Sequence, residues 1–191
     1  MDIRINNLCK SYGVNKVLHN YNETIIEGKT SFIIGKSGIG KTTLIRILLG
    51  LEKTDSGEII GLDDKKISVV FQDNNLCENL SVLSNLKIVT DNIDENELNK
   101  NLKELDLEGI LFKKINELSG GMKRRIAILR ALLVEFDLLI MDEPFKGLDF
   151  STKKIVIEYI KKCIKGKTVV MVTHDIDDFE YFNDSRIIKI Q

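Results

Sequence analysis

Gly35-Lys36-Ser37-Gly38-Ile39-Gly40-Lys41-Thr42-Thr43 decides how the rest of this chain reads, because it fits the pattern G-x-x-x-x-G-K-[ST] at every specified position. Before it, Thr30 to Ile34 is a short apolar run of strand type. After it, Thr42 to Leu49 is apolar at helical spacing, with Gly50 placed as a helix stop. In that strand, loop, helix context the glycines let successive backbone N–H groups turn toward phosphate oxygens, and the helix N-terminus adds its partial positive charge. Lys41 is then placed to reach β and γ phosphates and Thr42 to bind Mg²⁺. A plain glycine-rich turn does not account for a Lys and a Thr in this register. By itself the loop leaves kinases, GTPases, motors and transporters open.

Working outward, the 191 residues make one domain's worth of chain or slightly more, with 43% hydrophobic and 30% charged residues. A formal net charge of -1 argues against a nucleic-acid partner, since such binders usually carry a net basic face. Cys9, Cys77 and Cys163 are odd in number and share no metal-ligand spacing, so they read as reduced thiols of a cytoplasmic protein. The opening Met1-Asp2-Ile3-Arg4 has no signal-peptide core, and charges interrupt every apolar run short of a membrane span.

Ile3, Ile5 and Leu8 suggest an opening strand and Val17 to Ile26 a second, with Tyr12-Gly13 expected in the loop between them. Glu58 to Ile60 and Ile67 to Phe71 are short apolar pieces that make the sheet mixed at this edge. From Asp73 to Leu118 helical spacing and charge take over, so residues 73–118 are expected as a helical lobe inserted in a core of 1–72 and 119–191. Ser119 precedes a long helical pattern from Met122 to Phe136, and Asp137 to Met141 is an apolar strand. Ser151 is expected to cap a helix to about Ile164, and Thr168 to Thr173 is another buried strand. This alternation predicts an α/β fold: a largely parallel sheet flanked by helices, with an N-terminal antiparallel edge. The chain ends just after a last strand near Ile190, and no appended regulatory domain is expected.

Two further stretches carry chemistry. Leu138 to Met141 leads into Asp142 and Glu143, delivering two carboxylates at a strand's carboxyl end, where α/β sheets gather ligands. Asp142 suits the Mg²⁺ shell and Glu143 a general base for an attacking water. Leu118-Ser119-Gly120-Gly121-Met122 sets two glycines behind a serine cap at a helix start, a second place where backbone N–H groups can face an anion.

Taken in order, these motifs resemble the ATP-binding subunits of ABC transporters from about Ile3 to Ile190. Tyr12 matches the aromatic that stacks on adenine and Gly35 to Thr43 the phosphate loop. Gln72 matches the glutamine that senses Mg²⁺, and Leu118 to Met122 the signature motif. Asp142 and Glu143 match the second nucleotide motif, Asp149 in Gly147-Leu148-Asp149 the aspartate that crosses to another subunit, and His174 the switch histidine. The resemblance implies a P-loop NTPase fold and Mg²⁺-dependent ATP hydrolysis. It implies catalytic roles for Lys41, Gln72, Glu143 and His174, and Mg²⁺ ligation by Thr42, Gln72 and Asp142. It also implies a head-to-tail dimer in which Ser119, Gly120, Gly121 and Asp149 of one copy meet the ATP of the other, and a polytopic membrane permease beneath which the protein sits on the inner face of the membrane. A solute-binding protein would belong to the same system.

Phe71 to Leu76, Met122 in place of the usual Gln, and Glu143-Pro144-Phe145 lean toward importers of the nitrate, sulfonate and taurine type. Against the family pattern, Arg124 replaces a usual Gln, Lys146-Gly147 replaces Ser-Ala, and Cys77-Glu78-Asn79 replaces an apolar and aromatic trio. Three other classes compete. A DNA-maintenance ATPase would need a long coiled coil between Thr42 and Ser119, where no heptads are sustained. A regulatory ATPase acting on translation would carry two tandem nucleotide domains. A P-loop kinase would have no use for Leu118 to Met122.

Overall fold

The structure, a computed structural model, describes residues 1–90, 93–182 and 184–190. It separates into two compact units. One comprises Met1–Ile67, Phe136–Asp142 and Gly166–Gln191, the other Ser68–Glu135 and Glu143–Lys165. The second unit thus holds residues 119–135 and 143–165 beside the 73–118 segment expected as a lobe.

In the first unit, β1 (Ile3–Tyr12), β2 (Asn15–Ile25) and β4 (Ser56–Ile60) form a three-stranded antiparallel sheet in the order β2-β1-β4. These strands pair among themselves rather than making the parallel sheet mixed. Ile3 and Ile5 point into the core, and strict alternation would send residue 7 after them. Instead Asn7 takes a left-handed φ of 49° where the pairing register shifts, and the extra residue returns Leu8 to the buried face. Tyr12 is the last residue of β1, paired with Asn15, and not a loop residue; only Gly13 and Val14 remain for the turn.

β3 (Thr30–Ile34), β6 (Leu138–Asp142), β7 (Thr168–Val172) and β8 (Arg186–Lys189) run parallel in the order β6-β7-β3-β8. β6 and β7 are buried along their whole length, as parallel strands covered on both faces must be. Phe32 on β3 is fully buried, with the rings of Phe179 and Phe182 edge-on at 6.1 and 5.6 Å. The expected α/β class, with a largely parallel sheet and antiparallel N-terminal strands, is what the chain adopts. α1 (Lys41–Leu48) follows β3, and β5 (Ile67–Val70) leads into the second unit.

That unit contains α2 (Val82–Lys87), α3 (Glu95–Glu104), α4 (Gly120–Leu132) and α5 (Phe150–Cys163). α4 stops at Leu132, short of the expected Phe136. α5 is capped not by Ser151 but by Asp149, whose carboxylate accepts from the Thr152 N–H; Ser151 lies within the first turn and donates its hydroxyl to that same carboxylate. Among the described residues no helix is long and apolar enough to cross a membrane.

Candidate functional site

In the first unit, register fixes the arrangement. Ile33 pairs with Val172, and Val172 pairs with Asp142, so the three lie in one row across β3, β7 and β6. With neighbouring strands about 4.8 Å apart, that row is roughly 10 Å wide. The phosphate loop leaves β3 two residues after Ile33, and His174 stands two residues after Val172. Gly35 to Thr43, Asp142 and His174 therefore share the carboxyl edge of the sheet, the edge where α/β folds gather ligands.

The loop has the features an anion needs. α1 starts at Lys41 behind Gly40, with no capping side chain and no acidic residue in its first turn, so its N-terminal partial charge is not offset locally. Gly40 has φ 115°, and a Cβ there would meet a Val17 methyl at 2.7 Å and the Val17 carbonyl oxygen at 3.1 Å. Lys41 is buried, and its Nζ donates to the carbonyls of Gly35 at 2.7 Å and Lys36 at 3.0 Å. An anionic oxygen would hold this buried ammonium more strongly than either neutral carbonyl does.

Asp142 is buried at the end of β6. His174 is exposed in a turn shaped by Thr173, whose hydroxyl donates to Asp178 and accepts from the Asp175 N–H. Tyr12 is half exposed in the antiparallel sheet, with the Lys10 ammonium 5.1 Å from its ring centroid.

In the second unit, Ser119 caps α4 by accepting from the Met122 N–H at 3.3 Å, and the first turn again holds no acid. Gly120 and Gly121 form that turn, and a Leu148 methyl lies 3.5 Å from where a Cβ on Gly121 would sit. The signature stretch and the Gly147-Leu148-Asp149 loop are thus neighbours. Asp149 spends its carboxylate locally: Oδ1 accepts from Ser151 Oγ and Thr152 N, Oδ2 from Thr152 Oγ1. Those bonds hold it well below the usual carboxylate range, so it stays ionised.

Glu143 has a left-handed φ of 48° although it precedes Pro144, a position normally pushed to extended backbone. Such a conformation costs roughly 1–3 kcal/mol and persists only where surroundings over-determine it. Its side chain is largely covered and pairs with Lys146 at 3.2 Å. Its carbonyl accepts from Arg124, a residue that sequence reasoning registered only as a departure from pattern. The signal was present: Arg124 lies on the stripe that includes Ala127, Ile128 and Ala131, and a cation on a buried helix face needs acceptors. Gln72 is exposed, and its backbone carbonyl accepts from that same guanidinium.

A profile of the family described as ABC transporter matches residues 18–146. The spermidine/putrescine import ATP-binding protein PotA of Mycoplasma mycoides is 33% identical over 99% of this chain, which spans 59% of that relative's length. The aliphatic sulfonates import ATP-binding protein SsuB 1 of Shouchella clausii is 33% identical over 93% of the chain and 73% of its own length. Among solved structures, the dimeric post-hydrolysis state of the ATP-binding cassette MJ0796 bound to ADP and Pi superposes with a TM-score of 0.84 at 32% identity, covering 99% of this chain and 94% of that one. These relatives match nearly the whole of this chain, whose P-loop NTPase fold carries the phosphate loop and signature in order. The chain belongs to the ABC transporter family.

Proposed function

We propose that the chain is the ATP-binding and ATP-hydrolysing subunit of an ABC importer, acting as one ATPase domain in which 1–72 and 119–191 carry nucleotide chemistry and the 73–118 lobe carries the membrane partner's contacts. The observation that carries this reading is the pair of glycine-led helix starts, α1 and α4, each without an acid in its first turn, in a single chain. One is equipped with a buried lysine, the other with a serine cap. A lone phosphate needs one such start; a nucleotide shared between two copies uses both.

The phosphate groups of ATP would lie on the backbone of Lys36, Ser37, Gly38, Ile39, Gly40, Lys41, Thr42 and Thr43. Lys41 would exchange the Gly35 and Lys36 carbonyls for β and γ oxygens, charge-assisted bonds roughly twice as strong as neutral ones. Thr42, Asp142 and Gln72 offer a hydroxyl, a carboxylate and an amide oxygen, hard donors that fit Mg²⁺. Bound there, Mg²⁺ would neutralise charge building on the phosphates. Glu143 would take the proton of the attacking water, and His174 would donate an imidazole N–H to the γ-phosphate. Tyr12 would stack on adenine with the ring face that Lys10 does not cover.

From a second copy, Ser119 would donate the hydroxyl proton that its capping role leaves available, and Gly120 and Gly121 their first-turn N–H groups. Asp149, held ionised by the bonds from its own helix, would present its carboxylate to the neighbour. ATP would close this dimer and hydrolysis open it, driving a permease from the cytoplasmic face of the membrane, with a solute-binding protein delivering cargo.

The test is Glu143→Gln. It is expected to keep the affinity for a fluorescent ATP analogue, lower turnover at least a hundredfold and accumulate an ATP-bound dimer in gel filtration. Turnover at the unaltered rate would remove Glu143 from the mechanism.

A further inference from the structure

Arg124 is buried on α4, and its guanidinium donates to backbone carbonyls from two separate segments. Nε donates to Pro144 at 2.9 Å and Nη2 to Glu143 at 2.7 Å. Nη1 donates to Phe71 at 2.5 Å, to Gln72 at 3.2 Å and to the Asn74 side-chain oxygen at 3.4 Å. A planar fork of five N–H donors can satisfy acceptors on two edges at once, which neither an ammonium nor a carboxamide can do. The backbone acceptors lie at the two points where the chain carries Gln72 and Glu143, and the Glu143 carbonyl also accepts from the Lys146 N–H at 3.2 Å. One of those points is the left-handed, pre-proline conformation of Glu143, which needs outside support to persist.

We propose that Arg124 is a positioning residue for ATP hydrolysis: it fastens the Gln72 segment and the Glu143 turn to the helix that begins with the signature, so that the Mg²⁺-sensing amide and the general base keep a fixed spacing. Neighbouring side chains of α4 extend the same hold. Arg130 donates to the Asn74 carbonyl at 3.2 Å, and Lys123 pairs with Glu78 at 2.7 Å. The inference rests on the roles proposed above for Gln72 and Glu143. Its physical content is that a helix movement started at the signature reaches both residues through one rigid planar group.

The test compares Arg124→Ala and Arg124→Lys with the full chain, measuring kcat, KM and affinity for a fluorescent ATP analogue. The phosphate loop lies in the other unit, so affinity is expected to stay within about twofold while kcat falls at least tenfold in Arg124→Ala. Arg124→Lys is expected to recover part of the rate, and added guanidinium at millimolar concentration to raise Arg124→Ala toward it, because the buried slot keeps its carbonyl lining. Unaltered kcat in Arg124→Lys would overturn the proposal, as would equal losses in kcat and affinity with no recovery on guanidinium. Should Arg124→Ala fail to fold, the lysine variant alone decides by the same kcat criterion. Glu143→Gln measured in parallel separates the two levels: an inactive Glu143→Gln beside a fully active Arg124→Lys refutes only the positioning role, whereas an active Glu143→Gln refutes the reading on which it rests.

Discussion

Replacing Gly40 by alanine tests the geometry of the phosphate loop with the fewest other changes. At φ 115° the residue lies beyond the left-handed region that L side chains tolerate, and the backbone term alone costs roughly 1–2 kcal/mol. The new Cβ would also sit 2.7 Å from a Val17 methyl, which can rotate aside, and 3.1 Å from the Val17 carbonyl oxygen, which can only move with β2. That contact adds about 1–2 kcal/mol of overpacking. Against this, alanine narrows the unfolded ensemble and returns about 0.4–1 kcal/mol. The net loss is about 2 kcal/mol, a fall in Tm of about 4–8 °C for a domain of this size. Gly38→Ala is the matched control, since its φ is 79° but no heavy atom lies within 4 Å of its Cβ position. It should lose about 1 kcal/mol, less than Gly40→Ala, because only the backbone term and its offset remain. The assay is thermal melting with and without an ATP analogue, together with a binding titration. If the loop yields to relieve the contact, the loss appears as weaker binding instead, at least tenfold in Gly40→Ala and less in Gly38→Ala. Gly40→Ala with the melting temperature and affinity of the unaltered chain would refute the close approach to Val17.

Two further perturbations reach other parts of the structure. Ser119→Arg removes the cap of α4, a loss of about 1 kcal/mol that Ser119→Ala shares, but only the arginine should abolish ATP-driven dimerisation while leaving monomer binding intact; an ATP-induced dimer in gel filtration would count against the shared nucleotide. Phe32→Ala empties a fully buried site against Phe179 and Phe182 and should cost about 3–5 kcal/mol, a fall in Tm of about 10 °C, whereas a fall under about 3 °C in calorimetry would contradict its central place in the parallel sheet.

Whatever could be read within one short segment was legible from residues alone. Thr30 to Ile34 and the helix stop at Gly50 were visible because apolar spacing and a glycine are local signals, and the order of the phosphate loop, signature and paired acids identified the family. Errors arose where two local candidates competed for one role or a distant partner decided the outcome. Ser151 and Asp149 are both good caps by type, and the choice fell to the residue whose carboxylate reaches the Thr152 N–H from outside the helix. The helical pattern ran on to Phe136 because apolar periodicity cannot distinguish a last turn from a buried connection, and Asp137 is instead bound to Lys66 through its backbone N–H.

By itself the sequence determined an α/β chain with a phosphate loop, a second anion-facing helix start and two adjacent carboxylates, since each follows from residue types at fixed separations. Only the tertiary structure decided that β1, β2 and β4 close into a sheet of their own, that Asn7 shifts the pleat so that Leu8 faces inward, and that Glu143 is held left-handed. It also turned Arg124 from an unexplained departure into the group that joins two chain segments. The physical reason is common to all four: a backbone carbonyl carries no mark in the sequence, so the hydrogen bonds that close a sheet, stabilise a bulge or engage a guanidinium become visible only once distant segments stand side by side.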